Sequence, residues 1–277
     1  MSTRSNLEQI TGAASVVALG NLVSRALGLA REIVKSHLFG ASGTVDAFNV
    51  AARVPTLLYD LLVGGMVNSS LVPVFAAYIE DKRADLWGLV SVLLNVVAVL
   101  MALLVILIGI FAPQVAYLMS GGSSPEVLGL TTRLLRITVP TLLFLSLGGV
   151  VSALLYALRR FAYPALTAAA FNATIVVITL IFFRPLGITA MALGLLCGGL
   201  VSLLIQLPGL RGTGIRYHLM FRHTGLRRVA LLYLPIILGL MIEVLISRPV
   251  TYNLASQTGT GGIAWMDYAT TLWQFPQ

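Results

Sequence analysis

The chain has 277 residues, of which 58% are hydrophobic and only 10% are charged, and its mean hydropathy is +0.94. A soluble globular protein has about 25% charged residues, so this composition excludes a water-soluble body and predicts that lipid surrounds most of the exterior. The net charge of +8 does not indicate nucleic-acid binding, because the basic residues fall in short segments between apolar stretches. We therefore expect an all-α, polytopic transmembrane helix bundle.

Seven apolar stretches are long enough to cross a bilayer, which takes about 20 residues, and an eighth begins near Gly261. The polar N-terminal segment lacks the cleavage pattern of a signal peptide, so we expect the first helix to be retained. The seven predicted spans are about 12–38, 47–77, 87–119, 127–158, 161–183, 186–210 and 229–255. The dividers between them are rich in turn-forming residues, namely 40–43, 121–125, Arg184-Pro185 and 259–262.

Positive charge alternates from one loop to the next. Ten lysines and arginines lie in the N-terminal tail and in every second loop, whereas the other loops hold one, Arg184. Because short cytoplasmic loops accumulate Lys and Arg, this pattern predicts a cytoplasmic N-terminus and supports the count of about eight spans. The ten cations are Arg4, Lys82, Arg83, Arg159, Arg160, Arg211, Arg216, Arg222, Arg227 and Arg228.

The first predicted helix has a charged face about 120° wide, counting 100° per residue. A charge at the centre of a membrane helix costs about 2.5–3.5 kcal/mol on insertion scales, so these side chains need partners or water. Lys35, near the helix end, also fits the alternative of extending to lipid headgroups, whereas Arg25 lies too deep for that. The face consists of Asn21, Ser24, Arg25, Gly28, Arg31, Glu32 and Lys35.

Further charges are predicted inside spans, with Arg53 in the second and Arg248 in the seventh, and with Asp60 and Glu243 among the acidic residues. Together with Arg25, the two arginines predict a cationic central cavity. Guanidinium groups bind phosphate as a matched fork, so the cavity predicts an anionic, phosphate-bearing substrate.

Two local patterns bear on packing and symmetry. Gly194 and Gly198 predict a close helix contact in the sixth span. The pair Ser24-Arg25 recurs as Ser247-Arg248, each followed by a glycine-rich turn, an aspartate, an alanine and a proline. Such repeats are typical of transporters with a site between two similar halves, although a match this short also arises by chance. The predicted domains are 1–225, a six-helix lobe with a basic cytoplasmic loop, and 226–277, the start of a second, truncated lobe.

A series of short motifs follows the order of a known family. They are 24–32, Phe39-Gly40-Ala41, Asp46-Ala47-Phe48, Arg53-Val54-Pro55, 71–75 with Tyr78, Trp265-Met266, Tyr268-Ala269 and Phe275-Pro276. In this order they resemble the MurJ/MviN family of lipid II flippases. The resemblance covers the whole chain but only about the first half of the family's usual length.

The resemblance implies the fold of the oligosaccharidyl-lipid flippase superfamily, with two six-helix lobes around a central cavity. It implies movement of the undecaprenyl-pyrophosphate-linked peptidoglycan precursor, lipid II, to the outer leaflet by alternating access, with cavity arginines on the diphosphate and sugar head. Arg25 and Arg31 match two of those arginines, Ser24 the serine before the first, and Asp46 the aspartate of the first turn. The predicted binding residues are Ser24, Arg25, Arg31, Asp46, Arg53 and Arg248.

This chain departs from the family at positions where the resemblance would place cavity arginines. Tyr59 stands at one of them in the second helix and Thr271 at another in the eighth, and Gly64-Gly65 replaces a glutamate-glycine pair. We expect Arg53 and Arg248 to substitute for the two missing arginines.

Alternative functions are an exporter of another lipid-linked polysaccharide or of a small ion-coupled solute, a non-transporting truncated relative, and a membrane enzyme acting on polyprenyl phosphates. An enzyme is disfavoured because no HExxH, GxSxG or P-loop motif is present and because 80–85 has the pattern of a solvated loop. We expect no metal or cofactor, since only His218 and His223 lie near each other among the histidines. The expected partners are a lipid-linked anionic glycan and membrane lipid, without nucleic acid, and the oligomeric state stays open.

Overall fold

The computed structural model describes residues 2–81, 83–214, 217–242 and 246–274, without the side chains of 2–14, 16, 83, 84 and 274. Several predictions therefore lie outside the described residues: those on Lys82, Arg216, Glu243 and Phe275-Pro276, and those on the side chains of Arg4 and Arg83.

The described residues form helices and turns only, which confirms the all-α prediction. The first seven α-helices are α1 (Ser2–Phe39), α2 (Gly43–Tyr59), α3 (Val72–Asp81), α4 (Arg83–Ile110), α5 (Ala112–Ser120), α6 (Pro125–Thr138) and α7 (Thr141–Ala157). The remaining five are α8 (Ala162–Leu186), α9 (Thr189–Leu204), α10 (Thr224–Ile242), α11 (Arg248–Ser256) and α12 (Gly262–Gln274). Two π-helical turns, Asp60–Gly64 and Val67–Leu71, join α2 to α3, and a 3₁₀ turn, Leu207–Leu210, follows α9.

Six helical segments within the described part of the chain are long and apolar enough to cross a membrane. They correspond to the second to seventh predicted spans and are Gly43–Asp81, Asp85–Ile110, Pro125–Ala157, Ala162–Leu186, Thr189–Leu210 and Thr224–Ile242. The first and eighth predicted spans correspond to α1, with its charged face, and to the shorter α12, and they are not among the six.

Several spans are broken where the sequence analysis drew continuous helices. The third breaks at Phe111, just before Pro113, and the fourth breaks next to Pro140. Proline lacks the N–H that an α-helix needs in its interior, so a new helix starts at each of these points. In the second span the break takes the form of the two π-helical turns, a distortion that often marks functional sites.

One predicted divider is wrong. Arg184-Pro185 was expected to end the fifth span, but α8 continues through both residues to Leu186. The chain turns instead at Gly187, which has a φ of 56°, a left-handed conformation that glycine adopts without steric cost.

Close helix contacts at glycine join α1, α8 and α9. A Cβ atom added to Gly194 or Gly198 would lie 3.0 Å from backbone atoms of α8, which confirms the predicted small-residue contact. A Cβ atom on Gly20 would lie 2.6 Å from the carbonyl oxygen of Ala165. Helix α8 is therefore packed between α9 on one side and α1 on the other.

The connecting segments lie alternately at two ends of the bundle. The basic end contains Asp81, 157–162, 204–214 and 217–224, where Arg160 Nη1 donates to the carbonyl of Arg211 (2.8 Å) and His223 contacts Asp85. The opposite end contains 39–43, 120–125, 186–189 and 256–262, where the amide of Gly122 donates to Ser256 Oγ (3.0 Å). At this end α12 lies against α2 and, through Tyr268, against the end of α1, and α11 lies against α5 and α12.

Candidate functional site

Charged and polar side chains of four helices meet inside the bundle in a cluster that we name the charged junction. Helices α1 and α2 come from the predicted first lobe, and α11 and α12 from the start of the second. The charged junction consists of Arg31, Glu32 and Lys35 on α1, Asn49 and Arg53 on α2, Asp60 just after it, Arg248 and Tyr252 on α11, and Asp267 and Tyr268 on α12.

Arg31, Glu32 and Lys35 form an ion-pair triad at the C-terminal part of α1. Arg31 Nη2 lies 2.9 Å from Glu32 Oε1, and Lys35 Nζ lies 2.5 Å from Glu32 Oε2. Arg31 Nη1 also donates to Asn172 Oδ1 on α8 (3.0 Å). Two cations share one carboxylate here, so the triad keeps a net charge of +1.

Lys35 connects three helices from a buried position. Its side chain is 4% exposed, and Nζ donates to Asn49 Oδ1 on α2 (2.9 Å) in addition to its ion pair. The ammonium group also lies 5.0 Å from the ring centroid of Tyr268 on α12, within range of a cation–π contact. The Tyr268 hydroxyl in turn donates to the carbonyl of Gly40 (3.0 Å).

Arg53 and Arg248 are the second group of cations in the charged junction. Both guanidinium groups interact electrostatically with the Asp60 carboxylate and with the Tyr252 hydroxyl. Arg53 Nε is buried and lacks a hydrogen-bond partner. The Tyr252 hydroxyl donates to both oxygens of Asp267 (3.0 and 3.3 Å).

Asp46 has a structural role that the sequence analysis did not foresee. Its carboxylate is buried and accepts hydrogen bonds from the amides of Gly261 and Ala264, each at 2.7 Å. The first amides of an α-helix have no partner within the helix, and a negative charge there is favourable. Asp46 therefore caps α12 from a different helix, and we do not carry it into the proposed binding set.

Ser24 and Arg25 lie outside the charged junction, about two helical turns before Arg31 on the N-terminal side of α1. The Ser24 carbonyl accepts a hydrogen bond from Asn172 Nδ2 (3.4 Å). Arg25 is exposed and makes no hydrogen bond or ion pair with the part of the chain that the structure describes. The charged face of α1 is thus divided between a paired group and an unpaired arginine.

The two positions without the expected arginines lie in different surroundings. The Tyr59 ring lies against α7, because a Cβ atom on Gly149 would be 3.3 Å from the Tyr59 hydroxyl. Thr271 instead lines a cavity of about 320 Å³ between α1 and α12. Glu32, Ser36, His37 and Tyr268 supply the other polar groups of this cavity, and Leu29, Ile33 and Leu272 supply its apolar part.

Sequence reasoning missed the neutral partners of the charges. Asn172 on α8 and Asn49 on α2 each accept a hydrogen bond from a cation of α1. Tyr252 on α11 donates to Asp267, and the ring of Tyr268 on α12 lies against Lys35. A single asparagine in an otherwise apolar span was the available signal, because an unpaired amide is costly in lipid.

A charged cluster shared by several helices of an apolar bundle defines a class of protein: a multi-pass membrane protein with a polar site between helices. The family model described as "MurJ: Lipid II flippase MurJ" matches residues 35–277. The chain belongs to this family of flippases, as its motifs indicated.

Curated relatives match nearly all of this chain. It is 33% identical over 270 residues to the probable lipid II flippase MurJ of Buchnera aphidicola subsp. Acyrthosiphon pisum, which covers 94% of this chain and 52% of the relative. It is 31% identical to the lipid II flippase MurJ of Burkholderia cenocepacia, over 92% of this chain and 51% of that protein. The chain thus spans about half the length of the curated relatives it matches.

Solved structures show the same arrangement of helices. A lipid II flippase MurJ in an inward closed conformation superposes with a TM-score of 0.81 at 26% identity, over 94% of this chain and 54% of that one. A MOP superfamily transporter from Pyrococcus furiosus superposes with a TM-score of 0.63 at 18% identity, over 86% and 53% of the two chains. The second likeness concerns the fold alone.

Proposed function

We propose that this chain acts in a flippase-type transporter that moves lipid II, a polyprenyl-pyrophosphate-linked peptidoglycan precursor, across the plasma membrane by alternating access. Family membership supports the substrate class, and the observation that carries the proposal is the charged junction between α1, α2, α11 and α12. In this proposal the chain has eight spans and a cytoplasmic N-terminus. Residues 1–225 form one lobe, and 226–277 begin the second.

The charged junction suits the anionic head group of a lipid substrate, because its cations slightly outnumber its carboxylates and a substrate phosphate could replace a carboxylate as their partner. Four cations, Arg31, Lys35, Arg53 and Arg248, face three carboxylates. A diphosphate would compete with Asp60 for Arg53 and Arg248, and Arg53 Nε is a buried donor without a partner. Charge-assisted hydrogen bonds to phosphate are strong and geometrically specific, so the substrate would compensate for the contacts it displaces.

The cavity between α1 and α12 offers a place for the part of the lipid substrate where the polar head group is attached to the polyprenyl chain. Its polar lining, including Glu32 and Thr271, adjoins Ile33 and Leu272, which are 58% and 67% exposed. In the proposed mode the polyprenyl chain lies along the exposed apolar side chains in lipid, while the diphosphate enters between the helices. Arg25 is exposed and unpaired within the described residues, and it would contact the head group of the substrate on the N-terminal side of the charged junction. No covalent step is required.

The proposal is tested by lipid II translocation in cells depleted of their own flippase. The chain is expressed alone and together with the unmatched half of the Burkholderia cenocepacia relative, because the chain covers 51% of that protein. We expect rescue in at least one format, its loss with Arg25→Ala or Arg53→Ala, and its retention with Arg184→Ala, an exposed arginine of α8. No rescue in either format, at normal membrane levels of the chain, would contradict the proposal.

A second candidate is export of a lipid-linked glycan other than lipid II, and the surroundings of Thr271 favour it. The cavity beside Glu32 lacks the arginine that the resemblance places there, so a different head group would fit this space. Thr271→Arg puts a guanidinium into the cavity within reach of Glu32. Rescue of lipid II translocation by Thr271→Arg but not by the unchanged chain would select this second candidate.

A further inference from the structure

The segment between α9 and α10 combines exposed apolar side chains with exposed arginines. We name residues 217–223 the linker segment. Leu219 is 75% exposed, Tyr217 58% and Phe221 49%, and the adjacent Arg222, Arg227 and Arg228 are exposed as well. Apolar groups of this size in water are unfavourable, so this surface needs a partner.

The linker segment is held in place by hydrogen bonds to α4. Asn95 Nδ2 donates to the carbonyls of His218 (3.1 Å) and Met220 (2.9 Å), and the amide of His218 donates to Ser91 Oγ (3.1 Å). The Tyr217 hydroxyl donates to Asn95 Oδ1. The backbone is therefore fixed on one side, and Leu219 and Phe221 are presented on a rigid support.

His223 fixes the end of the linker segment against α4 and α10. Its Nδ1 accepts a hydrogen bond from the amide of Gly225 (3.0 Å) in the first turn of α10, and its Nε2 lies 3.2 Å from Asp85. Asp85 and Thr224 each begin a helical segment that is long and apolar enough to cross a membrane. The linker segment therefore lies beside the N-terminal turns of two candidate spans.

We propose that the linker segment and the first turns of α10 form a binding surface for anionic lipid headgroups. Aromatic and aliphatic side chains at the interface insert between lipids, and arginines attract a negatively charged leaflet. The charge complementarity selects anionic lipid as the occupant, because Arg222, Arg227 and Arg228 face no acidic side chain in an ion pair within the described residues. This surface lies at the basic end, on the connection between α9 and α10, and does not depend on the proposed transport function.

The test measures how accessible a nitroxide label on Leu219→Cys is to an aqueous nickel complex, in a Cys197→Ser background because Cys197 is the chain's one cysteine. The purified chain is placed in phosphatidylcholine vesicles, with and without about 30% phosphatidylglycerol, which supplies a negative surface. We expect at least about threefold lower accessibility in the anionic vesicles, because bound headgroups cover the surface while the backbone stays on its support. Each arginine near such a surface contributes about fivefold to association, so the triple variant Arg222→Gln/Arg227→Gln/Arg228→Gln should abolish the difference.

A label on Thr258→Cys, exposed at the opposite end of the bundle, serves as the control and should not respond to phosphatidylglycerol. Inorganic phosphate added to neutral vesicles should not change the accessibility at position 219, which distinguishes a lipid headgroup from free phosphate. A label at position 219 that is fully accessible to the nickel complex in both kinds of vesicle would overturn the proposal. Equal protection in both would overturn the anionic specificity.

Discussion

Lys35→Met is expected to lower the free energy of unfolding by about 3 kcal/mol, the effect of removing one member of a buried ion pair. The substitution keeps the length of the side chain but leaves Glu32 Oε2 and Asn49 Oδ1 without the ammonium group that they share. It also removes the contact with the Tyr268 ring, which belongs to α12. Chemical unfolding in detergent micelles measures the change.

Arg25→Met is the matched control, because it removes a cation from the same helix at an exposed position without an ion pair among the described residues. We expect a change within about 0.5 kcal/mol. The double variant Glu32→Gln/Lys35→Met should recover none of the loss, since Glu32 keeps Arg31 as a partner in Lys35→Met and Glu32→Gln removes that ion pair as well. Equal effects of Lys35→Met and Arg25→Met would contradict the assigned role of Lys35.

Asp46→Ala is expected to free the first turn of α12 from α2. The carboxylate accepts hydrogen bonds from two amides at the start of α12, and loss of such a cap costs about 2 kcal/mol at the upper end of measured values. The amides of Gly261 and Ala264 should therefore exchange hydrogen about 30-fold faster, which mass spectrometry of the corresponding peptide measures.

Asp46→Asn provides the graded control for this prediction. The amide side chain keeps one oxygen acceptor but loses the negative charge, so we expect an intermediate increase in exchange. Unchanged exchange at Gly261 and Ala264 in Asp46→Ala would show that α12 is held by other contacts.

The all-helical fold and the positions of six candidate spans could be predicted because apolar length and turn-forming residues are local properties of the sequence. The breaks inside the spans were missed, although Pro113 and Pro140 were visible, because proline is tolerated in membrane helices when neighbouring groups satisfy the backbone. The end of the fifth span was placed too early for the same reason: Pro185 lies in the last turn of α8, where its effect is small.

The charged face of α1 was predicted from periodicity alone, but its division was not. Periodicity indicates which side chains share a face and does not indicate which neighbour each one meets along a helix of 38 residues. Arg31 meets Asn172 of α8, Lys35 meets Asn49 and Tyr268, and Arg25 meets none of these. Such partners depend on tertiary packing, which a single sequence specifies only indirectly.

Asp46 shows why residue roles are harder to predict than helices. Its likeness to a family position suggested a substrate ligand, whereas the structure places the amides of Gly261 and Ala264 on its two oxygens. Those donors lie more than 200 residues away in sequence. Their arrival at Asp46 depends on where α12 begins relative to α2.

The most direct test of the central claim is the affinity of the purified chain for a polyprenyl-diphosphate-linked glycan, compared with a polyprenol of the same tail length. A charge-assisted hydrogen bond contributes about 1.5–3 kcal/mol, so each arginine at the diphosphate is worth about tenfold or more in affinity. We predict that the unchanged chain prefers the diphosphate lipid, that Arg53→Ala and Arg248→Ala each remove most of this preference, and that Arg184→Ala leaves it intact. Equal affinity of the unchanged chain for the two lipids would contradict the charged junction as a diphosphate site.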